Sequence, residues 1–252
     1  MSESEATVPR HGCNSDPAGD SSEGADRGAA PVLLWGGPAA AADYDPAVLS
    51  DADAARAGLP RTPRAALQWR VSRAALRQAG AGTRGDAPRA WSLSHSDGHA
   101  LVARAPAGWR VGVDLERRRP RDVAALAQWC CDAGEQAHLA ALPEARRLAF
   151  FYRLWTLKEA FIKAAGLDFP ADMRSVGLQA LQAQAAGRWT LRAPAGAWRA
   201  RCWEIGEDWV ASVAWSVDDG AAAPGPAGEP AWRTARGCVL PPVRLVYADP
   251  ED

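Results

Sequence analysis

No apolar run in this 252-residue chain approaches the about 18 residues that a bilayer span needs, so none of it is expected to cross a membrane. The N-terminus is acidic and polar and has no apolar core of the kind that directs secretion. Cysteine is sparse and unpatterned. There are five, an odd number. Cys130 and Cys131 are adjacent instead of forming C-x-x-C, and the four histidines are too scattered to complete a zinc motif. The cysteines read as reduced thiols, and the cytoplasm is the expected compartment. Charge of neither sign is in excess: a formal net charge of −1 argues against a general nucleic-acid binder. A Walker A loop and a G-x-G-x-x-G turn are both missing. Residues 1–30 contain no Phe, Trp or Tyr and are dense in Ser, Gly, Ala, Asp and Glu, so a disordered tail is expected there. Residues 219–252 return to Ala, Gly, Pro and charge, and a loosely held tail is expected.

What remains is long enough to bury a substantial core, as one domain or two closely packed lobes. Its most informative stretch is FFYRLWTLKEAFIKAAG, Phe150 to Gly166. At 3.6 residues per turn, Phe150, Leu154, Leu157 and Phe161 share one helical face, widened by Phe151, Trp155 and Ile162. A narrow polar stripe is left: Tyr152, Thr156, Glu159 and Lys163. A helix apolar over most of its circumference is expected to be buried. Glu159 and Lys163 on such a helix need a partner, a ligand or a metal, or they pair with each other at i, i+4.

A second acidic group lies upstream in VGVDLE, Val111 to Glu116. Alternation with period 2 predicts a strand with Val111, Val113 and Leu115 on one side and Asp114 and Glu116 on the other. Side-by-side carboxylates repel unless they are solvated or share a cation. With Glu159 they make a three-carboxylate, all-oxygen set, which suits Mg²⁺ or Mn²⁺ rather than Zn²⁺. Such a site predicts a substrate that carries phosphate.

VGVDLE followed about forty residues later by WTLKEAFIK resembles the paired signature motifs of the 4′-phosphopantetheinyl transferase superfamily. A third element of that family, a strand running into Ser-His-Ser, is WSLSHS at Trp91 to Ser96. The resemblance spans about 45 to 215 and is to the larger, two-lobed type that activates peptide and polyketide synthases and other carrier proteins. It implies an α+β fold of two similar lobes, 31–108 and 109–218, each a small antiparallel sheet packed with helices, with the site at their junction. It also implies a monomer in the cytoplasm, with coenzyme A and an apo acyl or peptidyl carrier protein as partners. Asp114, Glu116 and Glu159 would then hold Mg²⁺ (or Mn²⁺), and Lys163 would stabilise the departing phosphate. Ser94 and His95 would contact coenzyme A phosphates. Lys158, and Arg64 or Arg73 from the basic face of Arg64 to Gln78, are further candidates for coenzyme A. Glu135 sits where the family places another glutamate and is the candidate general base. A non-catalytic binding module of the same fold is the alternative. The chain departs from the family before the Ser-His strand, where Arg84-Gly85 and Pro88-Arg89 replace the usual Gly-Lys-Pro.

The remaining elements follow from local pattern. Pro31 to Gly36 is a strand, Leu49 to Ala57 a helix capped by Ser50 or Asp51, and Trp91 to Ser94 pairs with Ala100 to Ala103 around Ser96-Asp97-Gly98. This places His95 at a strand end in a tight loop. Arg117 to Arg121 is a basic loop, expected either to be solvated or to dock an acidic partner. Asp122 to Cys131 and Gly134 to Leu142 are expected helices. Val176–Leu178, Trp189–Arg192, Trp198–Glu204 and Trp209–Trp215 are expected strands.

Overall fold

Strand β1 (Val32–Gly36) is the spine of the first sheet. It lies antiparallel to β3 (His99–Arg104), which pairs in turn with β2 (Trp91–Ser96). The computed structural model describes residues 30–81, 90–170, 172–180, 189–193, 195–217 and 228–248. The tail expected over 1–30 lies outside the described residues but for Ala30, as does the Arg84 to Arg89 stretch. Alternation sends Leu34, Ala100 and Val102 to one side of the sheet. There they pack on helix α2 (Pro63–Gln78) through Val71, Ala74 and Ala75. Helix α1 (Asp51–Ala57) precedes it, with Ser50 as N-cap as expected.

The second sheet contains β4 (Trp109–Arg117), β7 (Trp198–Ile205) and β8 (Trp209–Val217), all antiparallel. Leu33, Trp35, Leu101 and Ala103 from the first sheet meet Val111, Val113, Leu115 and Val213 from the second in one buried cluster. The two sheets are therefore stacked face to face, each with a helical layer outside it. Helix α5 (Glu144–Ala165) covers the second sheet, and α3 (Val123–Cys130) and α4 (Ala133–Ala141) pack against it. A small two-stranded sheet of β5 (Gly177–Ala180) and β6 (Trp189–Arg192) flanks them. The α+β class and the pairing of small sheets with helices are as expected.

Two expectations are corrected. The region expected to be a loose tail supplies β9 (Ala231–Thr234), parallel to β1, and β10 (Val243–Ala248), antiparallel to β7. The first sheet is thus mixed rather than purely antiparallel. Composition concealed these strands because each is short and bounded by Pro and Gly, while the apolar anchors are isolated. Trp232 meets Trp203 edge to face at 5.2 Å, and Tyr247 is buried in the core beneath α5. Second, His95 lies within β2, paired with Ala100, and the turn is confined to Asp97-Gly98. Among the described residues no helix is long and apolar enough to cross a membrane.

Helix α5 crosses β4 at the one residue of VGVDLE that has no side chain. A Cβ on Gly112 would lie 2.0 Å from the Ala160 carbonyl oxygen and 2.5 Å from the Ala164 nitrogen. This close approach brings Glu159 and Lys163 alongside Asp114. Gly112→Ala should therefore cost about 3 kcal/mol in urea unfolding, at the upper end for overpacking. A loss below about 1 kcal/mol would mean that the helix can lift off the strand without penalty.

Candidate active site

Burial and alternation together orient the carboxylates. Asp114 is 3% exposed and faces α5, because its neighbours Val113 and Leu115 are committed to the core between the sheets. Its Oδ1 accepts hydrogen bonds from Ser94 Oγ and Lys163 Nζ, both at 2.8 Å, while its Oδ2 is buried with no partner among the described residues. Lys163 also donates to the Val113 carbonyl at 3.1 Å and lies 3.9 Å from Glu159. Glu116 accepts from Ser96 Oγ at 3.0 Å. Burial, then the Asp114 charge, pushes the Glu116 carboxyl up to about 7, and the same two causes raise that of Glu159. Burial is the larger cause, and repulsion between neighbouring carboxylates adds to it.

The rest of the polar stripe on α5 is spent internally. Thr156 Oγ1 shares a hydrogen bond of 2.7 Å with Ser212 Oγ, and the Tyr152 hydroxyl bridges the backbone N–H and carbonyl of Arg119.

Ser94 belongs to a seam that the sequence reading missed. Ser92, Ser94 and Ser96 alternate along β2 and all face β4. Ser92 Oγ accepts from Val113 N at 3.1 Å, and Ser96 Oγ accepts from Arg117 N at 3.4 Å while donating to Glu116. The period-2 recurrence of serine was the signal available. Beyond the seam a cavity of about 480 Å³ opens between the α2 end and β4, walled by Arg64 and Gln68, by His95, Ser96 and Asp97, and by Glu116, Arg117 and Arg119. Gln68 Nε2 donates to His95 Nδ1 at 2.7 Å, leaving Nε2 as the protonated ring nitrogen. Gln68 lies one helical turn past Arg64, and attention to arginines alone passed over it.

Several expected roles are not supported by position. Lys158 is fully buried, 2.8 Å from Glu135, and donates to the carbonyls of Met173 and Val176. Glu135 is 1% exposed and caps α4 with Asp132; it also accepts from Leu178 N and pairs with Arg192 at 3.2 Å. Neither lines the cavity; both are committed to a buried ion pair with each other. Arg73 is held by Asp53 at 2.8 Å and lies over Trp69, outside the cavity wall. Arg64 lines the cavity. Three arginines of the basic loop are paired within the chain. Arg117 and Arg119 pair with Asp97, and Arg118 with Glu204.

The metal set is incompletely assembled. Among the described residues no group of three His, Cys, Asp or Glu is positioned to hold a metal ion. Lys163 instead takes Asp114 Oδ1. The unpartnered Asp114 Oδ2 and the mutual repulsion of the three carboxylates nevertheless fit a cation, hard and oxygen-seeking, that would enter beside them.

Residues 110–214 match the family model of the 4′-phosphopantetheinyl transferase superfamily. That stretch holds VGVDLE and WTLKEAFIK but begins after the Ser-His-Ser strand. The curated relatives are named for the same activity. The chain is 37% identical over 106 residues to the 4′-phosphopantetheinyl transferase psf-1 of Bacillus pumilus, covering 41% of this chain and 42% of the relative. It is 40% identical over 80 residues to the 4′-phosphopantetheinyl transferase AcpT of Salmonella typhi, covering 31% and 41%. Against the 4′-phosphopantetheinyl transferase HetI of Nostoc sp. it is 39% identical over 77 residues, covering 30% and 32%. The chain thus spans well under half the length of these curated relatives. Over the matched stretch its resemblance to the superfamily is shown.

Two outcomes follow from the electrostatics. Glu135→Ala leaves Lys158 buried without its carboxylate and should cost about 3–5 kcal/mol in denaturant unfolding. A neutral result would mean that Lys158 escapes to solvent. In metal-free protein Glu116 keeps its proton to about pH 7 against an ordinary 4.5. Folding is therefore favoured below 4.5, and this contribution is lost as pH rises through 7. Melts in chelator should show stability falling across that window, with a flatter profile for Glu116→Gln. An unchanged slope would show that Glu116 is not the titrating group.

Proposed function

We propose that this protein transfers the 4′-phosphopantetheine arm of coenzyme A to a serine of an apo acyl or peptidyl carrier protein. The observation that carries this reading is the meeting of Asp114, Glu116, Glu159 and Lys163, with Glu116 also on the wall of a cavity that Arg64, Arg117 and Arg119 line. The charge pattern suits a pyrophosphate, with carboxylates for a cation on one side and guanidinium groups for phosphate oxygens on the other. The relatives' names supply the transferred group, 4′-phosphopantetheine.

Asp114, Glu116 and Glu159 would hold Mg²⁺ or Mn²⁺, which offsets charge on the pyrophosphate when bound. Lys163 gives up Asp114 Oδ1 and turns its ammonium to the leaving phosphate. The carrier serine oxygen forms a bond to the phosphorus bearing the pantetheine arm, and the bond from that phosphorus to the bridging oxygen breaks. Adenosine 3′,5′-bisphosphate departs. The serine proton passes to the substrate's own phosphate, because Glu135 is walled off. His95, held by Gln68, and Arg64 orient coenzyme A from the opposite wall.

Intact-mass analysis of apo carrier proteins with coenzyme A and Mg²⁺ tests this directly. The expected result is a phosphopantetheine adduct on the carrier, absent with Asp114→Asn or Glu159→Gln. Lys163→Ala should lower kcat and kcat/KM alike, and His95→Ala should chiefly raise KM. Coenzyme A binding with no adduct on any carrier would support a non-catalytic binding module instead.

A further inference from the structure

We propose that Asp97 is a built-in counter-anion of the cavity. Its carboxylate occupies the place of a phosphate among Arg64, Arg117 and Arg119, and an incoming phosphate ligand binds by displacing it. The inference rests on the reading above only for the identity of that ligand.

The geometry is that of an occupied anion site. Asp97 Oδ1 lies 2.5 Å from Arg64 and 2.8 Å from Arg119, and Oδ2 lies 2.5 Å from Arg117. Three guanidinium groups converge on one carboxylate, and all four residues line the cavity. Their attachments differ. Arg117 is also anchored by Asp208 at 3.0 Å, whereas Asp97 is the only carboxylate partner of Arg64 and Arg119 among the described residues. Those two side chains are 62% and 41% exposed and free to follow a new anion, so the cluster is fixed at one corner and movable at two.

The backbone holds the carboxylate in this place. Asp97 has φ 45° and Gly98 φ 75°, the paired left-handed residues of a two-residue hairpin turn. Asp tolerates that conformation and points into the cavity from the hairpin tip. Arg117 and then Arg119 hold its carboxyl at about 2, so it is a permanent anion at neutral pH. A singly charged ligand gains little by exchanging places with it. A ligand with two linked phosphates can neutralise the excess positive charge that one carboxylate leaves, so Asp97 favours polyanions over monoanions.

Calorimetric titration of inorganic pyrophosphate and orthophosphate separates this role from simple positioning. Asp97→Asn keeps the turn, since Asn-Gly is well suited to it, and removes the charge. The expected result is pyrophosphate binding about 10-fold tighter than wild type, the effect of one unit charge at a partly solvated site, with the preference over orthophosphate reduced. Asp97→Gly should behave likewise. Arg64→Ala should weaken binding in both backgrounds. Binding that is equal or weaker in both Asp97 variants would overturn the proposal and make Asp97 a clamp that orders the arginines. Failure of either anion to bind any form would overturn it too. Neither probe carries a pantetheine arm, so absence of carrier modification would sink the transfer reading while leaving this result standing.

Discussion

Three alternate serines set the register of the joint between the two sheets. β2 and β4 are edge strands of different sheets, and edges leave backbone groups that require partners. Ser92 and Ser96 accept from the β4 backbone, while Ser94 and Ser96 donate to Asp114 and Glu116. The same hydroxyls thus fasten the sheets and aim the carboxylates. Each bond contributes about 1 kcal/mol. The larger consequence is register: the seam fixes which β4 residues stand opposite the Ser-His-Ser strand, and so puts the carboxylate group beside the cavity.

From that register the placement of α5 follows. Gly112 lets the helix settle on β4, and the settled helix brings Lys163 to Asp114. On the side of α5 carrying Lys158, the buried Lys158–Glu135 pair serves another purpose. It ties α5 to the α4 N-terminus and to the chain between α5 and β5 through the Met173 and Val176 carbonyls. A fully buried ion pair of this kind contributes little net stability, yet loss of either member is costly. It therefore fixes the rotation of the helix. The two adjacent charged residues of the motif face opposite duties, Lys158 inward and Glu159 toward the site.

The cavity is balanced in the same manner. Arg64, Arg117 and Arg119 are held by Asp97, Arg117 also by Asp208, while Asp114 and Glu116 are held by serines and Asp114 also by Lys163. Among the described residues Asp114 Oδ2 stays without a partner, beside carboxylates that repel it. The protein has neutralised what it can internally and left the deficit where a cation would be taken up.

The sequence by itself determined the elements that carry regular periodicity: the buried α5 helix, the VGVDLE strand with its two faces, the β2–β3 hairpin and the α2 face. Those patterns encode burial, and burial is what period 2 and period 3.6 report. Family motifs added which polar residues to watch; of these, Ser94 and Lys163 both bond Asp114, and Lys163 lies near Glu159. Tertiary structure alone decided the partners. Glu135 meets Lys158 and Arg192, Arg73 meets Asp53, and Arg117 and Arg119 meet Asp97, each across a span of chain that no local pattern links. It also turned two short segments of a Pro- and Gly-rich tail into sheet edges. A strand of four to six residues gains its stability from the edge it joins, and a charged side chain takes its role from whichever opposite charge the fold brings within reach; neither is a property of the segment itself.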